Sequence, residues 1–485
     1  MRLALWRAGS QKRSMDHHET PALGRSLRTR HVTMITVGGI IGAGLFVGSS
    51  TAINGIGPAA IVSYALAGLV ILLMMQMLSE LASAAPGTGS FTEFARLGLG
   101  NWAGFTAGWL YWYFWVIVVP IESIAGASMI HGWIPAVPVW QIGLVLLTLM
   151  TGVNLMSARS FGEFEFWFSS IKVAAILAFV IIAALYVFGA TSAHAPFLTN
   201  LTAHGGFAPN GWLAVLAGVT SVIFAFVGAE IVTIAAAESK EPARIIARLT
   251  SSVAVRILLF YILSITLIVA IVPWREVRPG ESPFAEALGR VGIIGARSIM
   301  EVVVLTAVLS CLNSAIYVTS RVLFGLAAKG DAPQWLVQVN RNRVPVRAIL
   351  AGAVFGYLAI GCAFLSPTVV FSFLVNASGA IALVNYLLVA LAEIRLRRAW
   401  EADCRDIAIR MWGFPYVSWA VVGVILAVLA AMAATPALRS QFTCSAGAVA
   451  IALGAFALRS RGLRSHERPV AAHPHAPPPA PGAFT

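Results

Sequence analysis

The sequence predicts an all-α integral membrane protein of about twelve spanning helices. Three observations carry this. Hydrophobic residues make up 59% of the 485 residues and charged ones only 11%. Mean hydropathy is +0.83, more than a water-soluble domain of this length has use for. Apolar runs of bilayer length recur along the chain, separated by short polar or basic connections.

The runs lie near 32–54, 58–83, 102–130, 139–156, 164–189, 211–236, 250–273, 293–326, 347–364, 367–394, 414–434 and 441–459. A basic arm, 1–31, precedes them and has no apolar core of the kind a cleaved leader carries. The first span therefore serves as the targeting signal. Within it Gly38-Gly-Ile-Ile-Gly42-Ala-Gly44 sets four glycines in seven residues. Each costs about 1 kcal/mol relative to alanine in a helix. Two readings stand: a helix broken where a ligand satisfies the freed backbone, or glycines that let another helix pack closely. The sixth span has its own interruption, Phe224-Ala-Phe-Val-Gly228-Ala-Glu230. Paired breaks in two halves of a chain favour a transport site. The eighth span is longer than a bilayer needs. The segment 460–485, basic and then rich in Pro and Ala, reads as a disordered tail.

Most of the 33 Lys and Arg fall in the N-terminal arm, the even-to-odd connections and the tail. That asymmetry places both termini in the cytoplasm. It also gives the net charge of +13 a topological cause rather than a nucleic-acid one. Four cysteines make no disulfide framework. No paired carboxylates, Ser/His/Asp grouping or metal-ligand spacing shares a membrane depth, so the chain is not expected to be an enzyme. No cofactor or metal is expected. Paired histidines near each terminus lack a closed ligand set.

Charged residues inside spans are costly and mark function. Lys172 lies about 14 Å into the fifth span at 1.5 Å per residue, at the depth of the first break. It is a proton switch or a structural cation that donates to exposed carbonyls. Glu230 follows the second break and can carry a proton, brace the unwound backbone or attract an ammonium. Glu122, after Pro120 in the third span, suits an external gate, an ammonium site or an interhelical bond. Glu301 reads as structural, and Glu80 and Arg321 as gate or anchoring charges near the cytoplasmic boundary. If the first helix unwinds at Gly42–Gly44, free N–H groups there suit a carboxylate, and free carbonyls of both broken helices suit an ammonium. A zwitterion fits, with Phe224 or Phe226 closing over its aliphatic part. The aromatics of Trp109–Trp115 read mainly as interfacial or packing residues.

Several stretches together resemble the amino acid–polyamine–organocation permeases, in particular bacterial proton-coupled amino acid permeases. They are Arg30-His-Val-Thr-Met, Gly38-Gly-Ile-Ile-Gly-Ala-Gly-Leu-Phe-Val-Gly-Ser, Pro86-Gly-Thr-Gly-Ser-Phe, Phe226-Val-Gly-Ala-Glu230 and Ser310-Cys-Leu-Asn-Ser314. Within that family the chain is most similar to γ-aminobutyrate (GABA) permeases. That likeness is carried by Trp109-Leu-Tyr-Trp-Tyr-Phe-Trp115, Val119-Pro-Ile-Glu122, Phe161-Gly-Glu-Phe-Glu-Phe-Trp167 and Glu230-Ile-Val-Thr-Ile-Ala-Ala-Ala-Glu238-Ser.

The resemblance implies a permease domain over 32–459. It would comprise inverted repeats 32–189 and 211–394, five spans each with helices 1 and 6 broken, and extra helices over 414–459. It implies a substrate carboxylate at the Ala43 and Gly44 amides and an amino group near carbonyls around Ile40 and Phe226. Ala43 stands where several relatives carry Ser or Thr, so the carboxylate relies on backbone amides. Phe224 matches a substrate-capping aromatic. Lys172 matches a lysine thought to replace a sodium ion, which favours proton coupling.

The expected function is import of GABA or a related ω-amino acid by proton symport, driven by the proton gradient, across the bacterial inner membrane. GABA separates its charges by three methylenes, so its ammonium can reach Glu122 or the Cys311–Asn313 region. The expected substrate-binding set is Ile40, Gly42, Ala43, Gly44, Glu122, Phe224, Phe226, Glu230, Cys311 and Asn313, with Lys172 and Glu230 in proton coupling. The expected partners are an amino acid, protons and the lipid bilayer. An exchanger, a permease for another amino acid and a non-transporting sensor are the rivals.

Overall fold

Apolar helices pack here around a polar centre, because side chains that cannot face lipid have only each other. The structure, a computed structural model, describes residues 40–85, 91–156, 158–189, 197–230, 258–362, 364–404, 407 and 409–466. Among the described residues there is no strand. The N-terminal arm, the start of the first span, the Pro- and Ala-rich end of the chain and residues 231–257 lie outside them.

The helices in order are α1 (Ala43–Phe46), α2 (Gly48–Ile56), α3 (Ala60–Ala84), α4 (Phe91–Leu99), α5 (Asn101–Trp133), α6 (Val139–Asn154) and α7 (Ala158–Val187). After α8 (Phe197–Thr202) come α9 (Gly211–Phe226) and α10 (Leu258–Ile271). The rest are α11 (Pro283–Val291), α12 (Ala296–Ala328), α13 (Val346–Cys362), α14 (Pro367–Ala402), α15 (Tyr416–Ala434) and α16 (Arg439–His466). Seven described helices are long and apolar enough to cross a membrane. Four shorter apolar helices, α6, α9, α10 and α13, stand where the sequence predicts the fourth, sixth, seventh and ninth spans.

Several ends are written locally. Pro283 opens α11, and Gly292 closes it in the left-handed region. Ser366 caps α14 by accepting from the Val369 amide, with Pro367 at the first helical position. Two helices run well past their predicted C-terminal ends. α14 runs on to Ala402, and α16 continues to His466 rather than stopping near 459. Both extensions carry Arg residues, and polar composition does not end a helix that has emerged into water.

α5 and α14 form the centre: 78% of the apolar stretch of each is buried, against 11% for the last span. α5 packs most extensively on α12 and α14, α9 on α14 and α3, and α7 on α12. α1 touches α5, α9 and α12. The two interrupted segments therefore meet, with α5 and α12 beside them.

One end is closed by rings. Phe284 of α11 lies 4.9 Å from the Phe46 ring and 4.7 Å from the Phe179 ring, and all three are buried. At the opposite end Glu80 of α3 accepts from Arg397 Nη1 of α14 at 2.7 Å and from the Met411 amide. Arg397 also donates to Glu401 and stacks 5.3 Å above the Phe414 ring. Asp331, just past α12, pairs with both Arg96 of α4 and Arg459 of α16.

Candidate functional site

The first break lies at Ile41 and Gly42. Gly42 is extended, φ −138° and ψ −152°, and helix resumes at Ala43. Two close approaches explain its glycines. A Cβ on Gly42 would stand 2.5 Å from Cys311 Sγ, and one on Gly44 2.7 Å from Ala225 Cα. The bland reading of the glycines as packing residues is thus part of the answer, since the break and the close contact coincide. The second break follows Phe226: Val227 is extended, and Gly228 turns the chain at φ 120°.

Between the breaks lies a cavity lined by Ile40, Gly42, Gly44, Phe114, Trp115, Val118, Glu122, Phe224, Val227 and Cys311. A water-sized sphere can centre itself in only about 10 Å³ of it, the room one water needs. An amino acid does not fit without movement. Glu122 is the only charged residue of that lining. Its carboxylate accepts from the Ala43 amide, at 3.2 Å to Oε1 and 3.1 Å to Oε2, and the residue is 1% exposed. The amide expected to receive a substrate carboxylate therefore already holds one.

The carbonyl side is also partnered. The Tyr261 hydroxyl of α10 lies 3.0 Å from the Ile40 carbonyl oxygen and 2.9 Å from that of Ala225. Having one proton, it donates to one or shares between both. Tyr261 was not a sequence candidate, and an isolated tyrosine in an apolar span gives no signal. Phe114, Trp115 and Val118 were missed as well. They stand eight, seven and four residues before Glu122, on one helical face, and that spacing could have found them.

Six of the ten predicted binding residues line the cavity: Ile40, Gly42, Gly44, Glu122, Phe224 and Cys311. Ala43 reaches it through its amide. Phe226, Glu230 and Asn313 lie outside the lining. Phe226 packs against Tyr261, ring centroids 4.6 Å apart, and against Tyr64 at 6.0 Å. Asn313 Oδ1 accepts from Asn154 Nδ2 at 2.7 Å, joining α12 to α6. Glu230 is fully buried. Tyr111 donates to its Oε1 at 3.2 Å, and Tyr386 and the Gly228 amide donate to its Oε2, both at 3.1 Å. Those bonds brace the second break.

Lys172 is fully buried in α7, and its Nζ lies 3.8 Å from Glu165 Oε1. That oxygen also accepts from Ser310 Oγ of α12 at 2.5 Å and from Ser169 Oγ at 3.3 Å. Glu165 was not singled out. Its signal was a seven-residue spacing, which puts it on the same face as Lys172 two turns earlier.

Two interrupted helices meet here at a buried, charged centre, and comparison supplies the class. Residues 31–458 match the amino acid permease family, and the chain belongs to it. It is a multi-pass membrane protein of amino acid transport. The Gamma-aminobutyric acid permease of Bacillus subtilis (strain 168) is 46% identical over 421 residues, 86% of this chain and 90% of that protein. The protein of the same name from Escherichia coli (strain K12) is 44% identical over 435 residues, 89% and 93%. The Aromatic amino acid transport protein AroP of Corynebacterium glutamicum is 38% identical over 424 residues, 86% and 91%.

Proposed function

We propose that the protein imports GABA or a related ω-amino acid together with a proton. The setting would be a bacterial cytoplasmic membrane with both chain ends inside, and the fold two inverted five-helix repeats followed by two further helices. The observation that carries this reading is Glu122 on the Ala43 amide. A substrate that brings its own carboxylate to that amide must displace Glu122. A substrate whose ammonium lies several carbons away can then pair with the displaced carboxylate. GABA does both, inserted between amide and Glu122. An α-amino acid holds its two charges too close together for that. Phe224 and Phe114, ring centroids 6.4 Å apart, cover the methylenes. Trp115, whose buried indole interacts with the Tyr111 hydroxyl, adds its ring to the lining. The proton is carried at Lys172, and Glu230 braces the second break. The driving force is the proton gradient, with no cofactor in the cycle.

The transport step follows from the space available. The cavity opens as Glu122 moves and closes again over the substrate, so loading and rearrangement are one event. The rings of Phe46, Phe179 and Phe284 part to admit substrate from outside, and the Glu80–Arg397 contact parts to release it inside.

A second reading has its own support. The AroP relatives and the aromatic lining of Phe114, Trp115 and Phe224 favour an aromatic amino acid. Labelled uptake into proteoliposomes under an inward proton gradient separates the two. GABA accumulation blocked by other ω-amino acids supports the first. Accumulation of an aromatic amino acid without GABA uptake replaces it. Counterflow without net uptake makes the protein an exchanger, and binding without flux a sensor.

A further inference from the structure

We propose that Glu165 is the group with which Lys172 exchanges the coupling proton, on its way to the cytoplasm. This rests on the proton-symport reading above. Both residues lie on α7, seven positions apart, which is about two turns and 10 Å of rise. The lysine stem bridges that gap by leaning toward the helix N-terminus, as helical side chains do. Nζ comes to 3.8 Å from Oε1, an ion pair rather than a hydrogen bond. Neither side chain is exposed.

The two oxygens of Glu165 differ. Oε1 is crowded by Ser310, Ser169 and Lys172. Oε2 is buried and makes no close hydrogen bond, and the Ser314 hydroxyl, one turn beyond Ser310 on α12, is the neighbour that can donate to the carboxyl group. A proton on Oε2 leaves the Ser310 and Ser169 bonds to Oε1 intact, and the Ser314 hydroxyl can turn to accept from it. Ser310 also links the pair to the transport site, since its chain neighbour Cys311 lines the cavity. The charged and titratable groups acting on Glu165 are Lys172 on its own helix and Cys311 on α12. Glu122 on α5 lies within electrostatic reach of Lys172.

The step balances within the pair. A Lys172 N–H bond breaks, its electron pair stays on nitrogen, and an O–H bond forms on Glu165. Ammonium and carboxylate become amine and carboxylic acid, with net charge unchanged. Burial disfavours two charges unless their geometry is excellent, so the neutral pair is an accessible state. The acid then yields its proton toward the cytoplasm, which Glu165 faces more nearly than Lys172. The amine takes the next proton from the cavity side. One proton has then moved inward along α7.

The test uses full-length protein in proteoliposomes containing a trapped pH dye, with GABA as solute. Counterflow, gradient-driven accumulation and GABA-induced acidification are read for the wild type, Glu165→Gln, Glu165→Asp and Ser310→Ala. In Glu165→Gln, counterflow is expected to stay measurable while accumulation and acidification fall by about tenfold or more. Glu165→Asp is expected to restore part of both. Wild-type accumulation and acidification in Glu165→Gln overturn the proposal. So does equal loss of counterflow and accumulation that Glu165→Asp does not repair, which marks a structural role. Wild-type counterflow without acidification overturns the symport reading, and the proposal with it. If Glu165→Gln fails to fold, Ser310→Ala decides. It keeps the pair but removes the 2.5 Å bond, and a shifted pH profile of uptake is expected. An unchanged profile overturns the proposal.

Discussion

At Gly42 an added methyl would meet Cys311 at both Sγ and Cβ, and at Gly44 it would meet the Ala225 backbone. The two positions should therefore differ under repair. Gly42→Ala is expected to abolish uptake, at a stability cost of about 1–3 kcal/mol. Cys311→Gly in the same chain should return part of both, because the clashing atoms are then gone. Gly44→Ala should have no single-residue rescue, since its obstacle is main chain. Uptake and thermal unfolding of the three variants check this. Glu122→Gln keeps the shape of the cavity and loses the charge. It is expected to weaken GABA competition by about 10-fold or more, the value of a charge-assisted bond of 1.5–3 kcal/mol. Butyrate, which lacks an ammonium, should lose nothing. Equal loss for both solutes would remove Glu122 from ammonium recognition.

Among elements, the interruptions were legible because glycines and an acid recur inside apolar runs at two places in the chain. The long spans were legible from composition. What the sequence left open was partnership across helices. Glu122 and Ala43 stand 79 residues apart, and Glu80 and Arg397 317 apart. Neither spacing says that the groups touch. A free amide at the first break was therefore a sound reading of one helix and incomplete for the bundle, where α5 brings a carboxylate to it. Glu165 was different, since its partner shares its helix and the spacing was in plain view. The Glu80–Arg397 contact joins α3 to α14 in nearly complete burial. Arg397→Ala is expected to cost about 3–5 kcal/mol, because it strands a buried carboxylate. Joint replacement of Glu80 and Arg397 by methionine should cost much less. Thermal unfolding in detergent separates a stranded charge from simple lost packing.

For the molecule as a whole, orientation is the property most open to direct test. Cys404 is exposed in the connection after α14, in the basic region that the distribution of Lys and Arg assigns to the cytoplasm. A membrane-impermeant thiol reagent is expected to label it in inside-out vesicles and to leave it unlabelled in right-side-out cells. Cys311 is buried between α1 and α5 and should resist the reagent from both sides. Labelling of Cys404 from outside would invert the topology, and with it the direction assigned to the Lys172–Glu165 pair.

The single-water cavity at the meeting of the two breaks has an electrical consequence. A bilayer protein with a wide wet centre would leak ions across the membrane. Here the centre has room for about one water, is walled by Phe114, Trp115, Val118 and Phe224, and has its one acidic group tied to main chain. So narrow a centre is expected to insulate. Vesicles containing it should hold a membrane potential as long as protein-free ones do, and discharge it only when the solute is added.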